Sequence, residues 1–299
     1  THTKVMTAAQ KLGYQPNVMA RSLMTGRTEL IGLVSNNFDN PAFMEIFDLF
    51  TRTLQNCGLR PLLANLSGNS DPEDAVAMLR QYSVDAVIIA SSTVSQSFIE
   101  GCLAAAIPIV HAFGKASMSS AIHVVGADNV QGGKLAAETL LHLGYEKVAF
   151  LGGPRAASST VDRLKGFQAG LKAKTMAPVA EVFATSYSHE QGRQMMIPLL
   201  ANVSIDAVFC GDDILAMGAL DACKEVGKSV PDDIGILGFN DIAMASWAAY
   251  NLSTIRQPIA DIIITAVEQA IRLVENRDLR SAPQHFACEA VLRGTLRKL

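Results

Sequence analysis

The run Val-Asp-Ala-Val-Ile-Ile-Ala at residues 84–90 decides the fold of this chain, and Ile-Asp-Ala-Val-Phe-Cys at residues 205–210 repeats its pattern. Both segments are short and almost continuously apolar. This is the pattern of strands that are buried on both faces of a parallel sheet. Two such strands in distant parts of one chain predict an α/β fold in which helices cover both faces of the sheets.

Predicted strands and helices alternate on both sides of these two runs. The apolar run at 29–35 leads to Asn40-Pro41, a pair that suits the start of a helix. Further strands are predicted at 60–65, 107–113, 122–125, 147–151, 179–184 and 234–238. These units are too many for one comfortable open sheet, so we expect two doubly wound parallel-sheet subdomains.

We expect the chain to cross between the two subdomains more than once, which makes a hinged cleft between two lobes. The predicted crossovers lie at 125–129 and 253–258, and a long amphipathic helix follows the second one. The predicted domains are an N-terminal helical segment, a first subdomain and a second subdomain. They span 1–28; 29–126 with about 257–284; and 127–256 with about 285–299.

Charge is distributed unevenly along the 299 residues. Residues 1–28 carry four Lys or Arg and no Asp or Glu, whereas the whole chain has a net charge of −3, which leaves −7 for the remainder. A basic segment on an acidic body is typical of a local contact with a polyanion. On charge alone, a chance absence of acidic residues explains the segment equally well.

The cysteines and the hydropathy bear on the compartment. Five scattered cysteines without a CxxC pair indicate reduced thiols in a cytosolic protein, most of them buried in apolar runs. No apolar stretch reaches the length that a membrane span requires. We therefore expect a cytoplasmic protein that has no membrane partner.

Polar and aromatic residues follow the predicted strands at their carboxyl ends, where ligands bind in open α/β sheets. They include Phe43, Ser92, Ser159, Arg163, Tyr187, Asp212, Asp213, Asn240 and Asp241. Planar polar groups combined with aromatic rings suit a polyhydroxylated ligand. Structural explanations stay open: Asp213 suits a helix cap, Tyr187 a packed loop aromatic and Arg163 a solvated helix residue.

Motifs of catalysis and cofactor binding are lacking. No G-x-G-x-x-G follows the first strand, and no P-loop, HExxH or G-x-S-x-G occurs. The six histidines show no metal-ligand spacing. Asp212 and Asp213 could form an acid–base pair in principle, but no nucleophile or metal partner is visible. We therefore expect no enzyme activity, no cofactor and no metal site.

Several segments, in a consistent order along nearly the whole chain, resemble the lactose/purine/ribose repressor (LacI) family of bacterial transcription regulators. They include AAQKLGYQPNVMARSLMTGRT at 8–28, VGADNVQGGKLAAETLLHLGY at 125–145, VFCGDDILAMGAL at 208–220 and VPDDIGILGFND at 230–241. The resemblance implies a periplasmic-binding-protein-like core in a homodimer. It also implies two partners, operator DNA and a small carbohydrate-like effector that controls operator binding allosterically.

The resemblance also assigns roles to residues. Residues 1–13 look like the last helix of a headpiece whose helix-turn-helix lies upstream, and 17–26 look like the hinge helix that enters the minor groove. DNA contacts are implied for Asn17, Arg21, Leu23 and Arg27, with Leu23 as the wedge between base steps. Effector contacts are implied for Phe43, Ser92, Phe113, Ser159, Arg163, Tyr187, Asp212 and Asn240.

Three departures from the family pattern concern the effector. Asp212 stands where many sugar-binding members have Asn, and Asn240 stands where they have Asp. Phe113-Gly114 stands where Asp-Arg is common. The added aromatic makes the first-lobe wall more apolar, so we expect an effector less polar than the common hexoses. Two alternatives remain. A solute-binding receptor of the same fold predicts a signal peptide and no basic hinge, and an enzyme using the aspartates needs a metal or a nucleophile.

Overall fold

A computed structural model describes residues 7–8, 11–13, 18–36, 38, 40–68, 70–114 and 121–298 of the chain. The strands are β1 Leu30–Ser35, β2 Arg60–Asn65, β3 Ala86–Ala90, β4 Ile109–Ala112, β5 Ile122–Ala127, β6 Val148–Gly152, β7 Ala180–Phe183, β8 Ala207–Cys210, β9 Gly235–Asn240, β10 Ser253–Arg256, β11 Gln284–Phe286 and β12 Glu289–Val291. The helices are α1 Val18–Thr25, α2 Ala42–Asn56, α3 Pro72–Gln81, α4 Gln96–Ala104, α5 Asn129–His142, α6 Ser158–Lys172, α7 His189–Asn202, α8 Asp213–Glu225 and α9 Ile259–Glu275, with a 3-10 turn at Ala243–Ser246.

The strands form two six-stranded sheets, one for each lobe. Their orders are β2-β1-β3-β4-β5-β11 and β7-β6-β8-β9-β10-β12. The pairings are parallel except for β10 with β12, which is antiparallel. The predicted fold class, two parallel-sheet α/β subdomains, is confirmed.

The two apolar runs form central strands, as their patterns predict. Every residue of β3 and of β8 is buried. Full burial of a Val or Ile side chain contributes roughly 1.5–3 kcal/mol relative to exposure. β3 lies between the parallel strands β1 and β4, and β8 lies between the parallel strands β6 and β9. Helices cover both faces of the sheets.

The aspartate of each run has the same structural role in its own lobe. The Asp85 carboxylate accepts hydrogen bonds from the backbone N–H groups of Thr28 at 3.1 Å and Glu29 at 2.8 Å. Asp206 likewise accepts from the N–H groups of residues 146 and 147, at 2.8 and 2.9 Å. Each carboxylate therefore fixes the chain just before it enters the neighbouring strand, β1 or β6.

The chain crosses between the lobes at three places. It leaves the first sheet after β5, returns between β10 and α9, and crosses again between β11 and β12. The first two crossings coincide with the predicted segments at 125–129 and 253–258. β11 reaches Phe286 in the first sheet, two residues past the predicted boundary near 284. The exact domain bounds stay a prediction.

The remaining predictions concern the N-terminal segment, the cysteines and membrane spans. α1 agrees with the predicted hinge helix, whereas most of the helix predicted at 4–12 lies outside the described residues. Four cysteines are buried and Cys57 is exposed, and all five are free thiols. None of the helices in the described ranges is long and apolar enough to cross a membrane.

Candidate functional site

A cleft lies between the two lobes, beyond the carboxyl ends of the strands. Its lining comprises Asn40, Ala42, Phe43, Ile46, Ser92, Phe113, Asn129, Ser159, Arg163, Tyr187, Asp212, Asn240, Gln257 and Ile259. The structure thus brings together all eight residues predicted to contact the effector. This is the position in which open α/β sheets present their ligand sites.

Arg163 is the cation of the cleft and lies at its second-lobe wall. It extends from α6 and is 5% exposed. Its Nε donates to Asn129 Oδ1 at 2.8 Å, and its Nη1 donates to the Gly211 carbonyl at 2.5 Å. The guanidinium stacks on the Phe239 ring, 3.6 Å from the ring centroid. The side chain is therefore buried and held in place at the cleft, rather than being a solvated helix residue.

Burial controls the electrostatics of Arg163. It lowers the pKa of the guanidinium below the ordinary value, and the nearby Tyr187 and Asp212 act in the opposite direction. An arginine pKa is high enough that the group still carries its charge near neutral pH. The cleft therefore holds a buried positive charge at a fixed place.

Asp212 is the acceptor of the cleft. Its Oδ1 accepts from the Ile214 N–H at 3.0 Å and caps α8. Its Oδ2 accepts from the Nδ2 of Asn240 at 2.9 Å and from the Nδ2 of Asn40 at 3.2 Å. Burial raises the pKa of Asp212, and these hydrogen bonds and Arg163 oppose that shift. The carboxylate thus connects both walls of the cleft.

Asn240 owes its position to an unusual backbone conformation at the end of β9. Its φ is 125°, a region in which side chains other than that of glycine are strained. Its amide lies between two partners: Nδ2 donates to Asp212, and Oδ1 accepts from Gln257 Nε2 at 2.5 Å. Observed backbone strain of this kind at a cleft is typical of binding sites.

Tyr187 and the start of α6 form a hydroxyl network beside Arg163. The Tyr187 hydroxyl lies 3.0 Å from Ser159 Oγ and 2.9 Å from Thr160 Oγ1. The ring packs on Gly153, where an added Cβ would lie 2.1 Å from Tyr187 Cε1. The glycine after β6 therefore makes room for this aromatic ring, a role that the glycine pair alone does not reveal.

Direct hydrogen bonds join the two lobes across the cleft. Asn40 of the first lobe donates to Asp212 of the second, and Ser159 Oγ donates to Ser92 Oγ at 3.2 Å. These contacts hold the lobes close together. Any change in the distance between the lobes must break or form them.

The first-lobe wall is mainly apolar, whereas the second-lobe wall is mainly polar. Ala42, Phe43, Ile46 and Phe113 face the cleft on the first-lobe side, and Ile259 adds to them at a crossover. Phe113 has a φ of 62°, so the aromatic sits in the left-handed region directly after β4. A ligand in this cleft therefore meets apolar surface on one side and charged or amide groups on the other.

Asp213 and Asp241, which follow predicted strands, do not line the cleft. Asp213 is fully buried and accepts from Thr254 Oγ1 at 2.5 Å and from the Ile242 N–H at 3.0 Å. Asp241 pairs with Arg256 and Arg293 at 2.7 and 2.6 Å. Asp213 is not the cap of α8 either, because Asp212 occupies that position. Both residues stabilise the second lobe.

Six of the residues that line the cleft are not among the predicted contacts, and the polar ones are Asn40, Asn129 and Gln257. Asn129 and Gln257 lie at the two predicted crossovers, and a chain that passes between the lobes passes beside the cleft. Asn40 is predicted to cap the helix that follows β1. Its Oδ1 does accept from the Ala42 N–H at 3.0 Å, but its Nδ2 reaches Asp212.

The residues predicted to contact DNA are described only in part. Asn17 and the side chain of Arg21 lie outside the described residues. Leu23 and its neighbour Met24 are both 89% exposed on α1. Arg27 is exposed and its Nη2 donates to the Val274 carbonyl at 3.4 Å.

The described side chains include no group of three or more His, Cys, Asp or Glu that could hold a metal ion.

Known proteins resemble this chain over most of its length. A model for a periplasmic binding protein-like domain matches residues 137–296. The HTH-type transcriptional regulator DegA of Bacillus subtilis (strain 168) is 31% identical over 95% of this chain and 85% of its own length. The HTH-type transcriptional repressor PurR of Photorhabdus laumondii is 31% identical over 95% of this chain and 89% of its own length.

The fold matches solved structures as well. The crystal structure of the Lac repressor dimer bound to operator and the anti-inducer ONPF has a TM-score of 0.85 and 25% identity. The match covers 99% of this chain and 90% of that chain. Both of the named relatives are regulators of transcription.

Proposed function

The chain belongs to the LacI family of transcriptional regulators, and from this membership we propose that it is a repressor whose operator affinity is set by an effector in the cleft. One observation carries the proposal: polar side chains from both lobes converge on one cleft that direct hydrogen bonds close. A ligand that contacts both walls has different contacts when the lobes separate. It therefore shifts the equilibrium between open and closed arrangements.

We propose that this equilibrium reaches DNA through α1, acting in a homodimer. The exposed Leu23 is suited to insertion between base steps, and the basic residues of the segment are suited to phosphate contacts. The Lac repressor relative is a dimer on its operator, which supports the same assembly here. An action on operator DNA supports a cytoplasmic location.

The eight predicted contact residues form the proposed effector site. Arg163 and Asp212 supply charge, Asn240, Ser92 and Ser159 supply uncharged polar groups, and the three aromatic residues supply flat apolar surface. We propose that the effector is bound without being converted. Two of the aspartates that an enzyme would use, Asp213 and Asp241, are engaged in contacts outside the cleft. Phe113 on the first-lobe wall supports an effector less polar than the common hexoses.

Selection of DNA from random duplexes, using the full-length protein, tests the proposal. A repressor selects one duplex family, and its affinity for that duplex changes when a cleft ligand from a panel of sugars, sugar acids and nucleobases is added. Arg163→Gln is expected to require at least about tenfold more ligand for the same change, because a charge-assisted hydrogen bond is lost. A protein that binds ligand but selects no duplex is a solute-binding receptor. Conversion of the bound ligand identifies an enzyme.

A further inference from the structure

We infer that the side chain of Met24 has a second position, in which it docks into an apolar cavity between the end of α1 and the last turns of α9 when DNA is not bound. This inference rests on the proposed function, because it adds a state that competes with the contact between α1 and DNA. Three features support it: the exposure of Met24, the cavity beside it and the glycine that follows α1.

Met24 is exposed when α1 is helical. Leu23 and Met24 are each 89% exposed, and they are consecutive residues of a helix that has only eight. A helix of this length is marginal in water unless it packs against something else. Water therefore favours an arrangement of this segment that buries one of these two side chains.

An apolar cavity lies next to the end of α1. It has a volume of about 260 Å³, and its apolar lining comprises Ile31, Leu59, Ile271 and Val274. An apolar cavity of about 150 Å³ already admits a benzene molecule. The cavity therefore has room for the side chain of a methionine.

Met24 is the exposed apolar residue nearest to this cavity along the chain. Thr25, the last residue of α1, is part of the cavity lining. Neighbouring Cα atoms are about 3.8 Å apart, so Met24 begins beside the cavity and Leu23 begins one residue farther away. Methionine is unbranched and flexible, and it fills irregular apolar space well. The structure therefore favours Met24 over Leu23 as the occupant.

Gly26 allows the end of α1 to move toward the cavity. Its φ is 68°, and nothing lies within 4 Å of the place that a Cβ would take. Glycine reaches other backbone conformations at little steric cost. The chain that follows is fixed, because Asp85 accepts hydrogen bonds from the N–H groups of Thr28 and Glu29. A rotation at Gly26 therefore moves Met24 without moving β1.

Docking of Met24 and binding of DNA exclude each other. Docking unwinds the last turn of α1, and this turn carries Leu23, the proposed wedge between base steps. Protein in the docked state is therefore not competent to bind the operator, and the apparent affinity falls with the fraction of competent protein. Removal of the docked state should strengthen DNA binding, although no contact with DNA has been added.

Methyl NMR of the full-length protein observes the docking directly. The loss of one signal in Met24→Gln identifies the ε-methyl group of Met24. In the DNA-free protein we expect cross peaks between this group and methyl groups of Ile31, Leu59 or Ile271, and the selected operator duplex should remove them. A Met24 signal without these cross peaks in the DNA-free protein overturns the inference, and cross peaks from Leu23 in their place overturn the assigned occupant.

The affinity of Met24→Gln for the operator gives a test by sign. Glutamine keeps the length and the helix propensity of methionine, but it is not apolar. We expect about three- to tenfold tighter binding than in wild type, because burial of the side chain no longer stabilises the competing state. If contact with DNA is the only role of Met24, binding is unchanged or weaker, and either result overturns the inference.

Ile271→Phe fills the cavity from α9 and leaves α1 unaltered. It should also tighten operator binding, and its combination with Met24→Gln should add little, because both changes remove the same state. Ile264→Phe is the matched control, since Ile264 lies on the same helix, is 45% exposed and is outside the cavity lining. Equal effects of the two Phe variants would overturn the role of the cavity. If the duplex selection finds no operator, the proposed function fails, and the methyl cross peaks still decide whether Met24 docks.

Discussion

The side chain of Glu45 accepts a hydrogen bond from the backbone N–H of Ala243 at 2.9 Å, so α2 of the first lobe is tied to the 3-10 turn of the second. This contact lies outside the set of residues that line the cleft. It stabilises lobe closure without touching a bound ligand. A mutation at Glu45 therefore changes lobe closure without removing a residue that lines the cleft.

Glu45→Ala is expected to favour the open arrangement. Glu45 is exposed, so the loss is at the low end of a hydrogen bond's contribution, about 0.5–1 kcal/mol, or a two- to fivefold weaker effector affinity. Glu45→Gln keeps a carbonyl acceptor and should lie close to wild type. Small-angle scattering of the ligand-free protein measures the opening, and calorimetry measures the affinity. Equal scattering for the Ala variant and wild type would contradict this role.

Asp85→Ala should loosen the junction between α1 and β1. The carboxylate holds two backbone N–H groups and the Thr28 hydroxyl, and Asp85 is 9% exposed. Unsatisfied buried donors cost about 1–3 kcal/mol in total stability. Urea unfolding and amide exchange at Thr28 and Glu29 check this. Asp206→Ala is the matched change in the second lobe and should leave exchange at Thr28 unaltered.

Stability should fall between about pH 4 and pH 7 through Asp213. Burial raises its pKa to about 7 from the ordinary 3.8. The folded state therefore holds this proton more tightly than the unfolded state. The contribution of Asp213 to the free energy of unfolding is on the order of 4 kcal/mol below the ordinary pKa, and it is lost as the pH rises to about 7.

Asp213→Asn should flatten that part of the profile of unfolding free energy against pH. Asp221→Asn is the control, because the stabilising effect of Asp221 has the opposite pH dependence. Burial raises the pKa of Asp221, but hydrogen bonds from Lys224 and His189 outweigh burial and lower it. Asp221 therefore stabilises the fold above its ordinary pKa and loses that effect in acid. Parallel profiles for wild type and Asp213→Asn would refute the role of Asp213.

Gly153→Ala should displace the Tyr187 ring from the cleft. The new Cβ would lie 2.1 Å from Cε1 of the ring, and overpacking of this kind costs about 1–3 kcal/mol. Effector binding should weaken together with stability. Gly211→Ala is a matched change, because its Cβ would meet nothing closer than 3.5 Å. Its stability cost should stay below about 1 kcal/mol. Equal losses of stability and effector affinity for both variants would show that displacement of the Tyr187 ring is not the cause.

The sheets were predictable because burial on both faces leaves a local signature. Residues 84–90 and 205–210 contain β3 and β8, but both strands begin two residues later than the apolar runs. The difference has a physical cause. Asp85 and Asp206 use their side chains to hold a neighbouring segment before the strand ladder begins.

The polar lining of the cleft was predictable where it follows a strand, because the carboxyl ends of parallel strands meet at one edge. Asn129 and Gln257 were not predictable in this way, since their positions depend on the path of the chain between the lobes. The stacking of Arg163 on Phe239 also depends on tertiary packing. Asp212 and Asp213 are adjacent, and the sequence pattern does not show which of them caps α8.

The coupling between lobe closure and DNA binding is the central claim, and a disulfide across the cleft tests it most directly. Ser92 Oγ and Ser159 Oγ are 3.2 Å apart, so cysteines at both positions come within bonding reach after a small adjustment. The exposed Cys57 is first changed to Ser in the full-length protein. We expect operator affinity to differ at least about fivefold between the oxidised and reduced forms. Equal affinities in the two forms would contradict the claim.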